Sequence, residues 1–207
     1  MMRYTGPKNR LSRRENIDLG LKTPGSKSHA TLLKKINILP GQHGVKGRRK
    51  QSEHSRQLRE KQKLRFSFDV SEKQLKRYFK IASRKRGNTA VFLSELLEKR
   101  LDNVIYRLGF APTRAAARQL VSHGHISVNK KKVTIASYRV SAKDEIGFFK
   151  EDSKKIPYID VFREQNEVIL PEWLELKKDT GTMVGKPDSS LIDKQVNLRL
   201  VVEFYSR

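Results

Sequence analysis

The chain has 207 residues, with 45 Lys and Arg against 22 Asp and Glu and a formal net charge of +23. A surface this cationic repels itself until a polyanion neutralises it, so nucleic acid is the leading partner, its phosphates releasing counterions on contact. With no Cys, disulfides and thiolate metal sites are excluded, and no apolar run approaches the roughly 20 residues that span a bilayer.

A basic membrane-surface protein would want an amphipathic helix with a Trp-rich apolar face, but the single Trp173 lies outside the basic part. The polar stretch Met1–Arg14 reads as lacking a secretory signal, so the expected location is the cytoplasm or an organelle derived from it. The charge is uneven. Residues 1–65 hold 18 Lys and Arg and 4 Asp and Glu, residues 66–144 hold 17 and 6, and residues 145–207 hold 10 and 12. The first two thirds therefore carry the RNA-facing surface, and the last third suits solvent or a protein neighbour.

Residues 1–47 are rich in Gly, Pro, Lys and Arg and show little periodicity, which predicts an extension that orders on its partner. A short polar helix is expected from Ser55 to Leu64. Ser71 with Gln74 forms a capping-box pattern that opens a helix to about Arg86, stopped by Gly87. Thr89 is placed to cap the next helix, whose apolar stripe runs through Leu93, Leu96, Leu97, Leu101, Val104, Ile105 and Leu108 at steps of three and four, with Gly109 as its stop. A further helix begins at Thr113 and stops at Gly124.

From Ile126 the period changes to two. Ile126 and Val128, a turn over Asn129 to Lys132, and then Val133, Ile135, Tyr138 and Val140 predict a small twisted sheet packed on the helix pair. Residues 150–190 give no clear assignment. Val196, Leu198, Leu200, Val202 and Phe204 alternate cleanly and predict a final strand. The fold class is α+β, mainly helical.

The segment from Glu98 to Val140 carries the densest RNA-binding signal. Arg114 and Arg118 share one helix face, the helix start at Thr113 offers free N–H groups to phosphate, and His123, His125 and Lys130, Lys131 and Lys132 continue the polar side. Arg107 and Gln119 join them. Together they form a compact basic surface suited to RNA backbone and shape.

The run from Arg100 to Ala111 (RLDNVIYRLGFA), followed by Ala117 to Asn129 (ARQLVSHGHISVN), resembles the RNA-binding module of the small-subunit ribosomal protein four family. So do Arg3 to Lys8, Pro40 to Gly44, Gln57 to Arg65, Pro171 to Leu174 and Val202 to Arg207, in the family's order. The resemblance implies a non-enzymatic, primary binder of small-subunit rRNA that nucleates assembly, meets neighbouring proteins three and five near where messenger RNA enters, and influences decoding accuracy. It also implies a helical body, residues 48–97 completed by 186–207, with the module inserted as residues 98–185 around a core of 98–160. On these motifs the expected RNA contacts extend to Arg3, Tyr4, Lys8, Arg10, Arg13 and Arg14. Gln42 and His43 follow, then Arg56, Arg59, Lys61, Lys63 and Arg65, and then Arg100 in the module. Lys46, Arg48, Arg49 and Lys50 are assigned to messenger RNA, and Arg199, Glu203 and Tyr205 to a protein neighbour.

Many members of that family hold zinc with four Cys near the amino end. The aligned positions here are Asn9, Ser12, Ser26 and Thr31, so no metal and no cofactor are expected. Two other readings are an accessory module of an RNA-modifying enzyme and a free-standing RNA-binding factor. The first needs a catalytic domain that the flanks do not offer. The second has no need of family motifs at both ends of the chain.

Overall fold

The computed structural model describes residues 4–46, 50–150, 156, 170–177, 179–188, 192 and 195–206. It is mainly helical with one antiparallel sheet, and it divides into a body, Met1–Ser94 with Ser189–Arg207, and a module, Glu95–Asp188.

The body opens with α1 Lys8–Glu15 and α2 Lys27–Lys34. Residues 4–46 therefore carry two helices in the stretch read as an extension that orders on its partner. Leu11, Leu19 and Leu32 are buried in a stretch that otherwise looks polar. Three well-placed Leu anchor two short helices without a visible stripe. Ser26 caps α2 by accepting from the His29 N–H.

Next come α3 Glu53–Ser67, three residues longer at its carboxyl end than the sequence suggested, and α4 Glu72–Ser83. The capping box is present. Gln74 N donates to Ser71 Oγ, and Ser71 N donates to Gln74 Oε1. The α4 stripe of Leu75, Tyr78, Phe79 and Ala82 is buried.

The carboxyl tail is a helix, α8 Leu198–Ser206, packed on α3 and α4, and not the predicted strand. Leu198, Val201, Val202 and Tyr205 fall at helical steps, so the tail satisfies both periods. Asn197 decides locally, its Oδ1 accepting from Leu200 N at 3.3 Å as a helix cap would. Contact with α3 then buries Leu198 and Val201.

The single stripe expected from Thr89 to Leu108 is two helices, α5 Thr89–Glu98 and α6 Leu101–Arg107. Asn88, not Thr89, supplies the side-chain oxygen at the start of α5. The break at Arg100 is extended backbone, φ −70° and ψ 135°. There Leu101 N donates to Tyr138 O, and Val140 N donates to Lys99 O. Helical continuation would forfeit these tertiary bonds.

The helix α7 Arg114–Ser122 is capped by Thr113, whose Oγ1 accepts from Ala116 N. It packs with α6. Five antiparallel strands follow: β1 Ile126–Val128, β2 Lys131–Lys132, β3 Glu145–Phe148, β4 Leu174–Lys177 and β5 Thr180–Met183. Their order is β2-β1-β3-β5-β4. The strand expected through Val133 and Ile135 lies earlier, as β2 at Lys131–Lys132 inside the stretch expected to be a turn, and Ile135 is exposed.

The module core gathers Leu101, Val104 and Ile105 of α6, Leu108 just after it, Leu120 and Val121 of α7, and Ile126, Ile146, Leu174 and Met183 from the sheet. At Gly181 a Cβ would stand 2.4 Å from a Leu108 methyl carbon, so only glycine lets α6 and β5 approach this closely.

Candidate RNA interface

The module sorts its arginines by the company they keep. Arg100 is fully buried, its Nε and Nη2 donating to the Asp102 carboxylate at 3.1 and 2.6 Å. It does not reach the surface, and the expectation that it contacts RNA is corrected: this charge belongs to the module's interior. A buried pair of this kind is costly to break because it leaves its partner uncompensated.

Arg107 sits at the end of α6, and its Nε and Nη2 donate to the buried Glu98 carboxylate at 3.2 and 2.7 Å. Burial opposes the Arg107 charge, but Glu98 outweighs it through its own charge and these hydrogen bonds, and the pKa moves up. Asn103 Nδ2 also donates to Glu98, at 2.6 Å, and Asn103 Oδ1 accepts from Arg114 Nε at 2.8 Å. The Arg114 guanidinium lies 4.4 Å from the centroid of the Tyr106 ring. Burial, then the neighbouring Arg107 charge, lowers its pKa from the usual arginine value. Arg114 is thus a cation held in one orientation at the start of α7, beside another cation. That is the state a phosphate relieves.

The outer face of the module continues along α7 with half-buried Arg118 and exposed Gln119 and His123. Thr113 is spent on its cap and is nearly buried. At the far end of α7, Gly124 has φ +76°, and the Lys132 side chain crosses it so closely that a Cβ would lie 2.1 Å from Lys132 Cε. The His123 and His125 rings stand 6.2 Å apart. Lys132 Nζ is 5.9 Å from the Phe149 ring, which is itself exposed. Lys130, at φ 63°, and Lys131 are exposed on the β1–β2 turn. Exposed cations interleaved with aromatic rings form a surface for RNA backbone and unstacked bases. Phe149 and Tyr106 were not among the residues singled out from the sequence, since neither lies in a basic run.

In the body the cations of α3 are largely paired. Lys61 is buried, bound to Glu72 at 3.1 Å and lying over the Phe204 ring, so it too is corrected from an RNA contact to a structural cation. Arg59 pairs with the buried Glu15 at 3.1 Å, Lys63 with Glu60 at 2.6 Å and Arg56 with Glu53 at 3.3 Å. Arg65 lies over Phe66. Arg13 donates to the carbonyls of Ile38 and Leu39. Tyr4, Arg10, Arg14, Gln42, His43 and Lys50 are exposed, and Lys8 is half-buried. Arg3, Arg48 and Arg49 lie outside the described residues, as does the side chain of Lys46.

On α8, exposed Arg199 and half-buried Glu203 are one turn apart on one face, Nε to Oε1 3.3 Å, and Gln57 Nε2 of α3 donates to the other Glu203 oxygen at 3.3 Å. Tyr205 does not share that face. Its ring stacks on Phe79 at 5.0 Å, and its hydroxyl donates to Glu72 at 2.8 Å. The expected three-residue contact face is corrected to two, because a helix turns Tyr205 inward where a strand would not.

Residues 3–98 match the family described as Ribosomal protein S4/S9 N-terminal domain, and residues 99–146 match the S4 domain. The chain is 48% identical over its whole length to the small ribosomal subunit protein uS4 of Natranaerobius thermophilus, covering all of that relative. It is 47% identical to that of Herpetosiphon aurantiacus and 46% to that of Acinetobacter baumannii, again with both chains fully covered. The chain belongs to the uS4 family. Its S4 domain match spans the Arg100–Asp102 pair, the Asn103–Arg114 link and the β1–β2 turn.

At three of the four zinc-aligned positions neutral groups take local roles. Asn9 Nδ2 donates to Ser28 O, Ser26 caps α2, and Thr31 Oγ1 donates to Lys27 O. Asn9 Oδ1 and Ser12 Oγ are buried without partners among the described residues, yet an amide and a hydroxyl oxygen are poor zinc donors. The residues present do not fit zinc. The loop before α2 is tied instead by His29 Nε2 against Asp18 Oδ2 at 2.7 Å.

Proposed function

We propose that the chain is a structural constituent of the small ribosomal subunit that binds small-subunit rRNA early and nucleates assembly around it. The observation that carries this reading is similarity to uS4 relatives over the full length of both chains, with the cationic Arg114, Lys130 to Lys132 and His123 surface falling in or beside the S4 domain match. In this reading residues 98–185 form the RNA-binding module, residues 48–97 with 186–207 the body, and residues 1–47 a basic amino-terminal segment. Contact with RNA is through phosphate and shape more than base edges. Lys46, Arg48, Arg49 and Lys50 lie toward incoming messenger RNA, where point charges suit a sliding strand. The face with Arg199 and Glu203 meets a neighbouring ribosomal protein and so contributes to decoding accuracy. The site of action is the cytoplasmic ribosome or its organelle counterpart.

The test is co-sedimentation of the tagged chain with small subunits after a high-salt wash. Retention on the subunit and on its precursors is the expected result. Release into the free pool, with no defect in subunits when the chain is depleted, would overturn the reading.

A further inference from the structure

The body holds a cavity of about 520 Å³ between α1, α3 and the amino-terminal segment. Tyr4 and Phe66 meet across it edge to face, with ring centroids 6.2 Å apart and planes at 65°. Tyr4 is 40% exposed. Arg10 and Arg14 stand at the rim on α1, both exposed. The guanidinium of Arg65 lies 4.5 Å from the Phe66 centroid. The one acid in the lining, Glu15, is paired with Arg59, so its charge does not repel an anion at the rim. Gln62 also lines the cavity. Its Oε1 is buried and has no hydrogen-bond partner among the described residues. Buried polar atoms are almost always paired, and an exception calls for an explanation.

A volume in this range is that of a small-molecule site. The lining narrows the occupant. Two aromatic rings want a flat π-system, the exposed Arg10 at the rim wants an anion next to it, and the Gln62 oxygen wants a donor on a polar edge. Unstacked bases of single-stranded RNA satisfy all three at once, stacking on aromatic rings and exposing their edges beside their own phosphate. An acidic peptide offers the anion without the flat ring.

We propose that this cavity takes one extruded nucleotide of the bound RNA, its base on Tyr4 and Phe66, its edge on the Gln62 amide, and its phosphate on Arg10. The inference rests on the rRNA-binding reading above and adds a site of base capture on the body, separate from the S4 module. The terminal torsion of Gln is broad, so the amide turns to meet a base edge without moving α3.

The experiment uses the full chain and a transcript of the small-subunit rRNA domain it binds, with the unpaired nucleotides replaced one at a time by abasic residues. At fixed salt, one abasic position is expected to weaken wild-type binding by about tenfold, the scale of a single base–aromatic stack. The same abasic RNA should bind Tyr4→Ala no more weakly than intact RNA does, because the stack is already gone. Tyr4→Phe should keep the discrimination. Gln62→Met should reduce it while leaving thermal unfolding unchanged. If every abasic substitution affects wild type and Tyr4→Ala equally, the base-capture site is overturned while rRNA binding stands. If wild type does not bind the intact transcript, the rRNA reading itself fails.

Discussion

Arg100 and Arg114 look alike in the sequence, since both are basic residues near the start of a helix. The structure separates them by what their guanidinium groups meet. Arg100 meets a carboxylate in the interior, and Arg114 meets an amide oxygen and an aromatic face. Removing the Arg100 cation strands Asp102, so Arg100→Met should lower stability by about 3–5 kcal/mol, and Arg100→Met with Asp102→Leu should recover most of it. Urea unfolding of the three proteins measures this. An equal loss in the single and double variants would mean that packing volume, not charge pairing, is at stake. Tyr205 makes a second residue-level case. Burial first, then its hydrogen bond to Glu72 and the charge there, pushes its pKa up from the usual tyrosine value. A raised value means the folded state keeps the proton more tightly, so the stabilisation is intact below about pH 10 and is lost as pH rises further. The advantage of wild type over Tyr205→Phe in urea midpoint should therefore shrink above pH 10 and hold constant between pH 7 and 9. Counting cations along the chain found the basic surface. It could not find the acids that neutralise Arg100, Arg107 and Lys61, because Asp102, Glu98 and Glu72 act through folded geometry.

The elements read from local chemistry came out where that chemistry was strong. The Ser71–Gln74 box and the helix start at Thr113 form as their residues dictate, and of the turn expected over Asn129 to Lys132 the first two residues do, with φ of 51° and 63°, while Lys131 and Lys132 pair as β2. The misses have tertiary causes. The α5–α6 stripe breaks because the Lys99–Leu101 backbone pairs with the Tyr138–Val140 segment, and a heptad-like pattern cannot show that. The strands β4 and β5 pair with each other, and β5 also with β3, around short, mixed segments whose alternation is too brief to read. In α8 the alternating pattern pointed to a strand, the same residues also fit helical steps, and Asn197 decides between them. Asn197→Ala should cost about 1 kcal/mol, the usual value of a helix cap. The readout is urea unfolding followed by helical circular dichroism, with rRNA affinity unchanged. No loss of stability would mean that packing on α3 holds α8 without help from its cap.

At the scale of the whole molecule the formal charge of +23 overstates what is offered to RNA. Cations tied into internal ion pairs already have their counter-charge and release no counterion when RNA arrives. Arg107 against Glu98 and Lys61 against Glu72 are in this state. Lys130, Lys131 and Lys132 are exposed on one turn, and among the described residues none forms an ion pair. The two classes should separate in the salt dependence of rRNA binding, whose logarithmic slope scales as roughly 0.7–0.9 per phosphate neutralised. Replacing Lys130, Lys131 and Lys132 together by Gln should flatten the slope by about 2 to 3 and weaken binding most at low salt. Arg107→Met should leave the slope within error of wild type. Its cost should appear in urea unfolding, because Glu98 is left buried without its cation. Filter binding of the rRNA domain across a salt series distinguishes these outcomes. A slope change for Arg107→Met as large as one full phosphate would show that Arg107 exchanges Glu98 for phosphate on binding. The division between structural and RNA-facing cations would then be set by the complex, not by the fold of the free protein.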